Sequence, residues 1–497
     1  MYNAYGNVKL YCKITKQATS TKSSGRGEVT IVGGTGPSGS EVYIDLVSNN
    51  GYGYKPTAIS SQAFNGATWI GKLYLQGYEK SVGDYAFRGC TGLTYVSINQ
   101  ASTLGIGEFR GCTGLTSVSI PQSITTIPDE CFYECSNLKS LQIGSDVQTI
   151  GSCAFYGCSS LTSLTIPNSV KSIGSCVFAG CSGLTSIEIP NYVTSIGSSA
   201  FQNCTGLKSV TIPNSVTSIE AQTFQNCSGL TSLTIPNSVT RIEAYAFKGC
   251  SGLTSLTIPN SVTSIEKELF YGCSGLKSVT IPNSVTSIAI SAFYECSGLT
   301  SLTIPNYVTF IGSSAFYGCS GLTSLTIGNS VTFIGSYAFY ECSGLTSLTI
   351  PNSVTSIGEQ AFYGCSGLTS LTIGNSVKSI GNWAFYRCSK LTSIEIPNSV
   401  TSIGSYAFKG CSGLETIKVN WSQPLSVPNG AFENVDKSLC KLYVPGGTKS
   451  LYASADVWEE FLNIVEEGSS AIPEDVNNDG KVNATDAMLI YNYILSH

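Results

Sequence analysis

The chain has 497 residues, and only 11% of them are charged, against about 25% in typical soluble domains. Its one histidine is the last residue, His497, which excludes chemistry built on a positioned histidine: Ser-His-Asp hydrolysis, Cys-His proteolysis and His-ligated zinc. A net charge of −5 supplies no basic field for nucleic acid, and no run of about 18 apolar residues suggests a membrane span.

In chain order, residues 1–57 carry the alternating segments VKLYCKI, EVTIV and EVYIDLV between Gly/Ser turns. This pattern predicts a β-rich N-terminal cap that shields the end of whatever follows. Residues 1–20 lack the apolar core of a secretory leader.

Residues 58–435 repeat. Cysteine recurs every 23 residues from Cys112 to Cys411, with Cys90 preceding by 22, and Phe stands three residues before each. Adding Phe64 and Phe432 gives 17 coils. A 23-residue unit cannot bury an apolar face alone, whereas stacked units can, so the fold class expected is a repeat solenoid. Within residues 322–344, Leu322, Leu325 and Ile327 alternate like a short strand, a Gly-Asn or Pro-Asn turn follows, and Val331 and Ile334 form a second inward edge. The segment Ser-Tyr-Ala-Phe-Tyr-Glu-Cys reads as a short helical or 3₁₀ side. In-register stacking sets equivalent residues about 4.8 Å apart, so 17 coils would make a rod on the order of 80 Å long.

Residues 436–467 form a C-terminal cap in which Trp458, Phe461 and Ile464 fall at helical spacing and are expected over the last coil. A linker, 468–474, leads to DVNNDGKVNATDAMLIYNYILSH at 475–497. Asp475, Asn477, Asp479, Asn483 and Asp486 occupy positions 1, 3, 5, 9 and 12 of an EF-hand-type loop, with Gly480 at the sharp turn and Lys481 offering its carbonyl at position 7. Calcium, a hard cation that takes six to eight oxygens, is the cofactor this spacing suits. An amphipathic helix is expected to follow, carrying Ala487, Leu489, Ile490, Tyr493 and Ile494. Residues 456–497 hold nine acids and one lysine, a balance of −8, so the rest of the chain is nearly neutral.

The pattern IGxxAFxxCxxLxxVxIPxSV resembles the BspA-like leucine-rich repeat of bacterial and protist surface proteins. The resemblance implies an α/β leucine-rich-repeat fold used in binding and adhesion, with no chemistry. Residues 436–467 are similar to the closing segment found after such arrays. The tail resembles the first half of a type I dockerin: position 12 is Asp rather than Glu, as in that family, and one loop is present where dockerins have two. The resemblance implies a cohesin module of a scaffold protein as partner, met through loop positions 10 and 11, here Ala484 and Thr485.

Other constellations read as follows. The 15 ladder cysteines stack in one column with Cβ atoms about 4.8 Å apart, wider than the disulfide mean of about 3.8 Å, and are expected as reduced, packed thiols. Cys153 and Cys176 form a second, two-member column whose redox state stays open. Outward pairs such as Ser163/Thr165 and Ser347/Thr349 suit either the polar half of a short strand or a lattice for glycan or protein. Tyr271, Tyr294, Tyr317, Tyr340, Tyr363 and Tyr386 form a column that either shields the Phe beneath or serves as ligand-binding surface. Glu220, Glu243 and Glu266 share a column at a spacing compatible with glycoside hydrolysis, but on a convex turn beside Arg241 and Lys267, with no cleft to exclude water.

The function expected is therefore a non-catalytic binding or adhesion protein, secreted or at the cell surface, with its leader absent from this chain. The dockerin-like tail would tether it to a cellulosome-type scaffold or a cell surface, and the repeats would meet a host-surface protein or a polysaccharide. The alternatives are an accessory subunit of a polysaccharide-degrading complex and a structural spacer.

Overall fold

The computed structural model describes residues 2–4, 8–16, 27–45, 54–76, 82–99, 102–467 and 488. The chain divides into two compact units, residues 1–324 and 325–497. Each is a stretch of β-solenoid with a 23-residue period and almost no helix.

In the first unit, strands β1 (Tyr2–Ala4), β2 (Val8–Lys16) and β3 (Gly27–Thr35) run antiparallel in succession. From there the pairing turns parallel. β3 pairs with β5 (Tyr54–Ile59), and β4 (Ser40–Asp45) pairs with β6 (Ile70–Gln76), which pairs with β7 (Tyr95–Asn99). The alternation read at residues 1–57 thus supplies strands that join the solenoid's own parallel ladders, with Val8, Leu10, Val29, Ile31, Val42 and Ile44 buried.

From Ser117 to Ile380 each coil contributes a three-residue strand and a two-residue strand. Ser163–Thr165 pairs in register with Ser186–Glu188, and Ser172–Ile173 with Ser195–Ile196. The middle residue of the longer strand points inward and its neighbours outward, as a period of two requires.

The third side of the coil is not the short helix or 3₁₀ segment that the sequence suggests. It is a run of turns carrying two left-handed residues per coil, for example Cys153 (φ 55) and Gly157 (φ 70). These rotate alternate N–H groups along the stack. Cys153 donates to Ser175 O at 2.8 Å, Phe155 to Val177 O at 3.0 Å and Gly157 to Ala179 O at 2.7 Å. A helix would bond these groups within its own coil, whereas here they join coils on a third side. The second left-handed column is mostly Gly, which adopts positive φ without a Cβ clash, but Glu134, Asn203, Glu295 and Arg387 hold it too.

The core is a stack of Phe rings. In the first unit Phe64 lies 5.2 Å from Phe87, and the column continues to Phe316 at centroid spacings of 5.1 to 5.8 Å. In the second unit Phe339, Phe362, Phe385, Phe408 and Phe432 repeat it at 5.2 to 5.4 Å. Ladder thiols line this core. Cys181 Sγ donates to Phe155 O at 3.2 Å, and that carbonyl also accepts the Cys158 N–H at 3.3 Å, so both its lone pairs are used.

The second unit closes on aromatic side chains. Trp458 stands 5.4 Å and Phe461 5.8 Å from the Phe432 ring. Trp458 Nε1 donates to Leu425 O and Tyr452 OH to Trp421 O, each at 2.8 Å. The helical spacing of Trp458, Phe461 and Ile464 is not realised as a helix: Trp458 sits in a turn, Phe461 just beyond it and Ile464 on the strand Asn463–Glu467. The helix of this region is Lys449–Tyr452.

Candidate functional site

The strand face bears the outward Ser and Thr. Ser186 and Glu188, Ser232 and Thr234, and Ser255 and Thr257 are exposed on either side of a buried Ile or Leu. In the preceding turn, Thr185 Oγ1 donates to Thr162 O and Thr231 Oγ1 to Lys208 O, so that second hydroxyl row is spent on joining coils. A shallow hollow of about 720 Å³ lies along Ser163, Thr165, Asn168, Ser186, Glu188 and Thr211. A smaller one of about 280 Å³ lies along Thr234, Asn237, Ser255 and Thr257.

The Tyr column is half-buried. Tyr271, Tyr294 and Tyr317 stack face to face with centroids 4.5 Å apart in the first unit. Tyr340, Tyr363 and Tyr386 do so at 4.5 and 4.6 Å in the second. Ring faces are therefore taken by neighbours, and what meets solvent is the hydroxyl-bearing edge. Burial, with Tyr317 and Tyr271 alongside, pushes the Tyr294 phenol up to about 12. A cation lies by each set of rings: Lys248 Nζ 4.4 Å from the Tyr271 centroid in the first unit, and the Arg387 guanidinium 5.3 Å from that of Tyr386 in the second.

In the carboxylate column Glu220 and Glu243 are ion-paired and part-exposed. Arg241 reaches Glu243 at 2.7 Å and Glu220 at 3.8 Å, while Glu266 accepts from Ser264 Oγ at 2.6 Å. The Glu220 and Glu243 side chains are 36% and 32% exposed, whereas a carboxyl that acts as general acid at neutral pH is raised by a desolvated pocket. Glu395, on the strand face, is held by Lys418 at 3.4 Å and Asn420 at 2.9 Å.

The ladder thiols are buried, and desolvation pushes those of Cys135, Cys204, Cys273, Cys319 and Cys365 up to about 12. A thiol held protonated is a poor nucleophile and metal ligand.

The tail positions Asp475, Asn477, Asp479, Lys481, Asn483 and Asp486, with Ala484 and Thr485, lie outside the described residues. Met488, the one residue of that stretch described, is helical and exposed. The donor set is nonetheless one that calcium suits: four side chains with carboxylate or amide oxygens in the first nine positions, an Asp at the twelfth and a backbone carbonyl at the seventh. Among the described residues, no helix is long and apolar enough to cross a membrane.

Sequence reasoning missed an aromatic group on the strand face of the first unit. Tyr43 and Tyr74 stack at 4.3 Å, with Tyr95 at 5.7 Å from Tyr74, beside the Lys72–Glu41 pair at 2.8 Å. Tyr43 and Tyr95 are exposed. The signal was present in the alternation of EVYID and KLYLQ, which gives both Tyr the outward parity, but no repeat beat marks it. Tyr192 and Tyr307, standing where most coils have Ser, are also exposed.

Comparison with known families and structures places this geometry. Residues 57–181, 102–231, 148–273, 217–346 and 332–455 match the BspA type leucine rich repeat region, and residues 473–497 match the dockerin type I domain. Type I dockerin domains generally bind calcium and a cohesin partner. Neither matched family is an enzymatic kind. A leucine-rich repeat protein from Bacteroides ovatus is similar, with TM-score 0.63 and 25% identity over 89% of this chain and 99% of that one. A leucine rich cell surface protein from Faecalibacterium prausnitzii shares 24% identity over 90% of this chain and 98% of that one, at TM-score 0.33. A leucine-rich repeat protein from Eubacterium ventriosum shares 22% identity over 82% of this chain and 95% of that one, at TM-score 0.40. Comparison with curated proteins gives no match. The repeat carries through nearly all of the described solenoid, and on that ground the chain belongs to the BspA-type leucine-rich repeat family, with a type I dockerin domain at its C-terminal end.

Proposed function

We propose that this protein is a non-catalytic extracellular display module. Its solenoid presents exposed hydroxyl rows and tyrosine edges to a polysaccharide or a host-surface protein, and its tail tethers it to a cohesin-bearing scaffold. The observation that carries this reading is the pairing of a repeat array, whose Glu220 and Glu243 carboxylates are part-exposed and ion-paired, with a dockerin-type tail.

In this reading Asp475, Asn477, Asp479, Asn483 and Asp486 hold calcium together with the Lys481 carbonyl. Calcium, when bound, gathers those oxygens around one point and so shapes the loop. Ala484 and Thr485 then face the cohesin, small enough to let its surface approach closely. The strand-face hydroxyls, the Tyr271–Tyr386 column and the Tyr43–Tyr74–Tyr95 group bind by hydrogen bonds and apolar contact rather than by charge, because the array is nearly neutral.

Capture of the full chain on an immobilised type I cohesin, with calcium and with a chelator, tests the tether. Capture that depends on calcium is expected, and equal capture in both conditions or none in either overturns it. Binding of the chain to a panel of plant and host glycans and to extracellular-matrix proteins tests display; uniform silence favours a spacer. Release of reducing sugar from a plant polymer would overturn the non-catalytic reading.

A further inference from the structure

Twenty cysteines fall into classes by exposure. All 15 of the ladder are buried, as are Cys131 and Cys440, whereas Cys12, Cys153 and Cys176 reach solvent in part. Cys12 stands alone on an N-terminal strand. Cys153 and Cys176 are related by one repeat and occupy the same slot of adjacent coils, the first left-handed position of the turn side, with φ of 55 and 56.

In that slot, unlike the ladder, side chains reach along the stack at the protein surface, where they touch one another. Ser199 Oγ donates to Gln222 Oε1 at 3.1 Å, Gln360 Nε2 to Tyr337 OH at 3.3 Å, and Trp383 stacks on Tyr406 at 5.7 Å. Cys153 and Cys176 stand in this slot on adjacent coils, and the Cys153 N–H donates to the carbonyl of Ser175, the residue before Cys176, at 2.8 Å. Ladder thiols instead turn inward, as Cys158 does toward Phe132 O at 3.4 Å, and are fully buried.

We propose that Cys153 and Cys176 are a surface dithiol that closes, by exchange with a low-molecular-weight disulfide, into a disulfide joining two consecutive coils. Inter-coil spacing of about 4.8 Å lies within the Cα range of about 4.4–6.8 Å seen across disulfides. The Cβ atoms must draw together by roughly an ångström toward the disulfide mean, which exposed turn residues can absorb and packed ladder residues cannot. The strain this leaves makes the bond readily reducible.

The steps balance. One thiolate attacks the small disulfide, forming a mixed disulfide and expelling one small thiol. The neighbouring thiolate attacks the protein sulfur of that bond and expels the second. Two protein thiols lose two electrons and two protons, and one small disulfide becomes two thiols. Burial, together with Cys176, Glu130 and Asp129 close by, pushes the Cys153 thiol up to about 11, so attack through it quickens with pH.

The test uses the full, reduced chain incubated natively with oxidised glutathione, then alkylated, unfolded and mapped by mass spectrometry. The expected product is a Cys153–Cys176 disulfide, lighter than the dithiol by two hydrogens and reopened by dithiothreitol, with the ladder cysteines alkylated only after unfolding. Serine occupies this slot at Ser199, Ser291 and Ser314, so Cys153→Ser and Cys176→Ser fit the fold. Each is expected to retain a lasting glutathione adduct on its remaining thiol. In Cys176→Ser, adduct formation should rise about tenfold per pH unit from about pH 7 to 9. Lasting adducts on both cysteines of the unmutated chain, closure onto Cys12 or a ladder cysteine, or reaction of ladder thiols as fast as this pair would each overturn the proposal.

Discussion

At the scale of single residues, the array is held by columns in which one side chain meets its own copy above and below. Phe247 is stacked between Phe224 at 5.8 Å and Phe270 at 5.7 Å and is fully buried. Phe247→Ala is expected to cost about 3–5 kcal/mol, read by urea unfolding, because the neighbouring rings cannot collapse into the gap without breaking their own spacing. The ladder thiols make stability depend on alkali. Cys135 rises from 9.0 to about 12 on folding, so above pH 9 the unfolded chain releases a proton that the folded chain keeps. Stability is complete below that range and falls as pH rises toward 12, by about 1.4 kcal/mol per unit for each such thiol. Denaturant titrations under reducing conditions at rising pH check this, and a flat profile would show that the thiols ionise freely in the fold. Tyr294 carries the same sign, since its phenol also rises to about 12. Tyr294→Ala removes the ring between Tyr271 and Tyr317 and opens both to solvent. It is expected to weaken ligand capture by the array while leaving the Phe column and the folded circular-dichroism spectrum in place.

At the scale of elements, the side of the coil first read as helical is the one whose conformation depends most on positive φ. Gly364 sits at φ 71 with the Glu341 Cγ 3.1 Å from where a Cβ would stand, whereas an added Cβ at Gly272 (φ 71) meets nothing nearer than 3.9 Å. Gly364→Val is therefore expected to destabilise the second unit by about 1–3 kcal/mol, and Gly272→Ala to cost the first unit less, near the low end of that range. Equal losses would mean that backbone strain alone, without crowding, governs the column. The sequence signalled these turns only indirectly. The AFxxC beat spaces its apolar residues as a helical turn would, and nothing local distinguishes that from turns whose N–H groups bond to another coil. The dithiol slot was visible as a two-member column, but its left-handed backbone and its partial exposure were not.

At the scale of the whole chain, stability in a repeat protein is the sum of coil and coil-to-coil terms. Deleting residues 209–231, one full period, restores every register in the first unit. The chain is expected to fold with a modestly lower unfolding midpoint, whereas removing half a period should abolish the folded spectrum. Truncation before residue 436 strips Trp458 and Phe461 from the Phe432 ring and is expected to cause aggregation, read by light scattering. Calcium removal should abolish cohesin capture and leave the unfolding of the array unchanged, because the candidate ligands all fall within residues 475–486.

The amino-acid order by itself determined the solenoid, its period, the inward set of Leu, Val, Ile, Phe and Cys, and the family of both array and tail. It could do so because a 23-residue repetition forces every coil to present the same apolar face to the next. Only the tertiary structure decided how each side of the coil is bonded and what the surface columns expose. The Tyr rings turned out to be stacked on one another, the Cys sulfurs to donate to carbonyls 26 residues back, and Tyr43, Tyr74 and Tyr95 to gather on the strand face. Each of those outcomes depends on distances between neighbouring coils, and a linear pattern records which residues recur without recording how closely their copies approach.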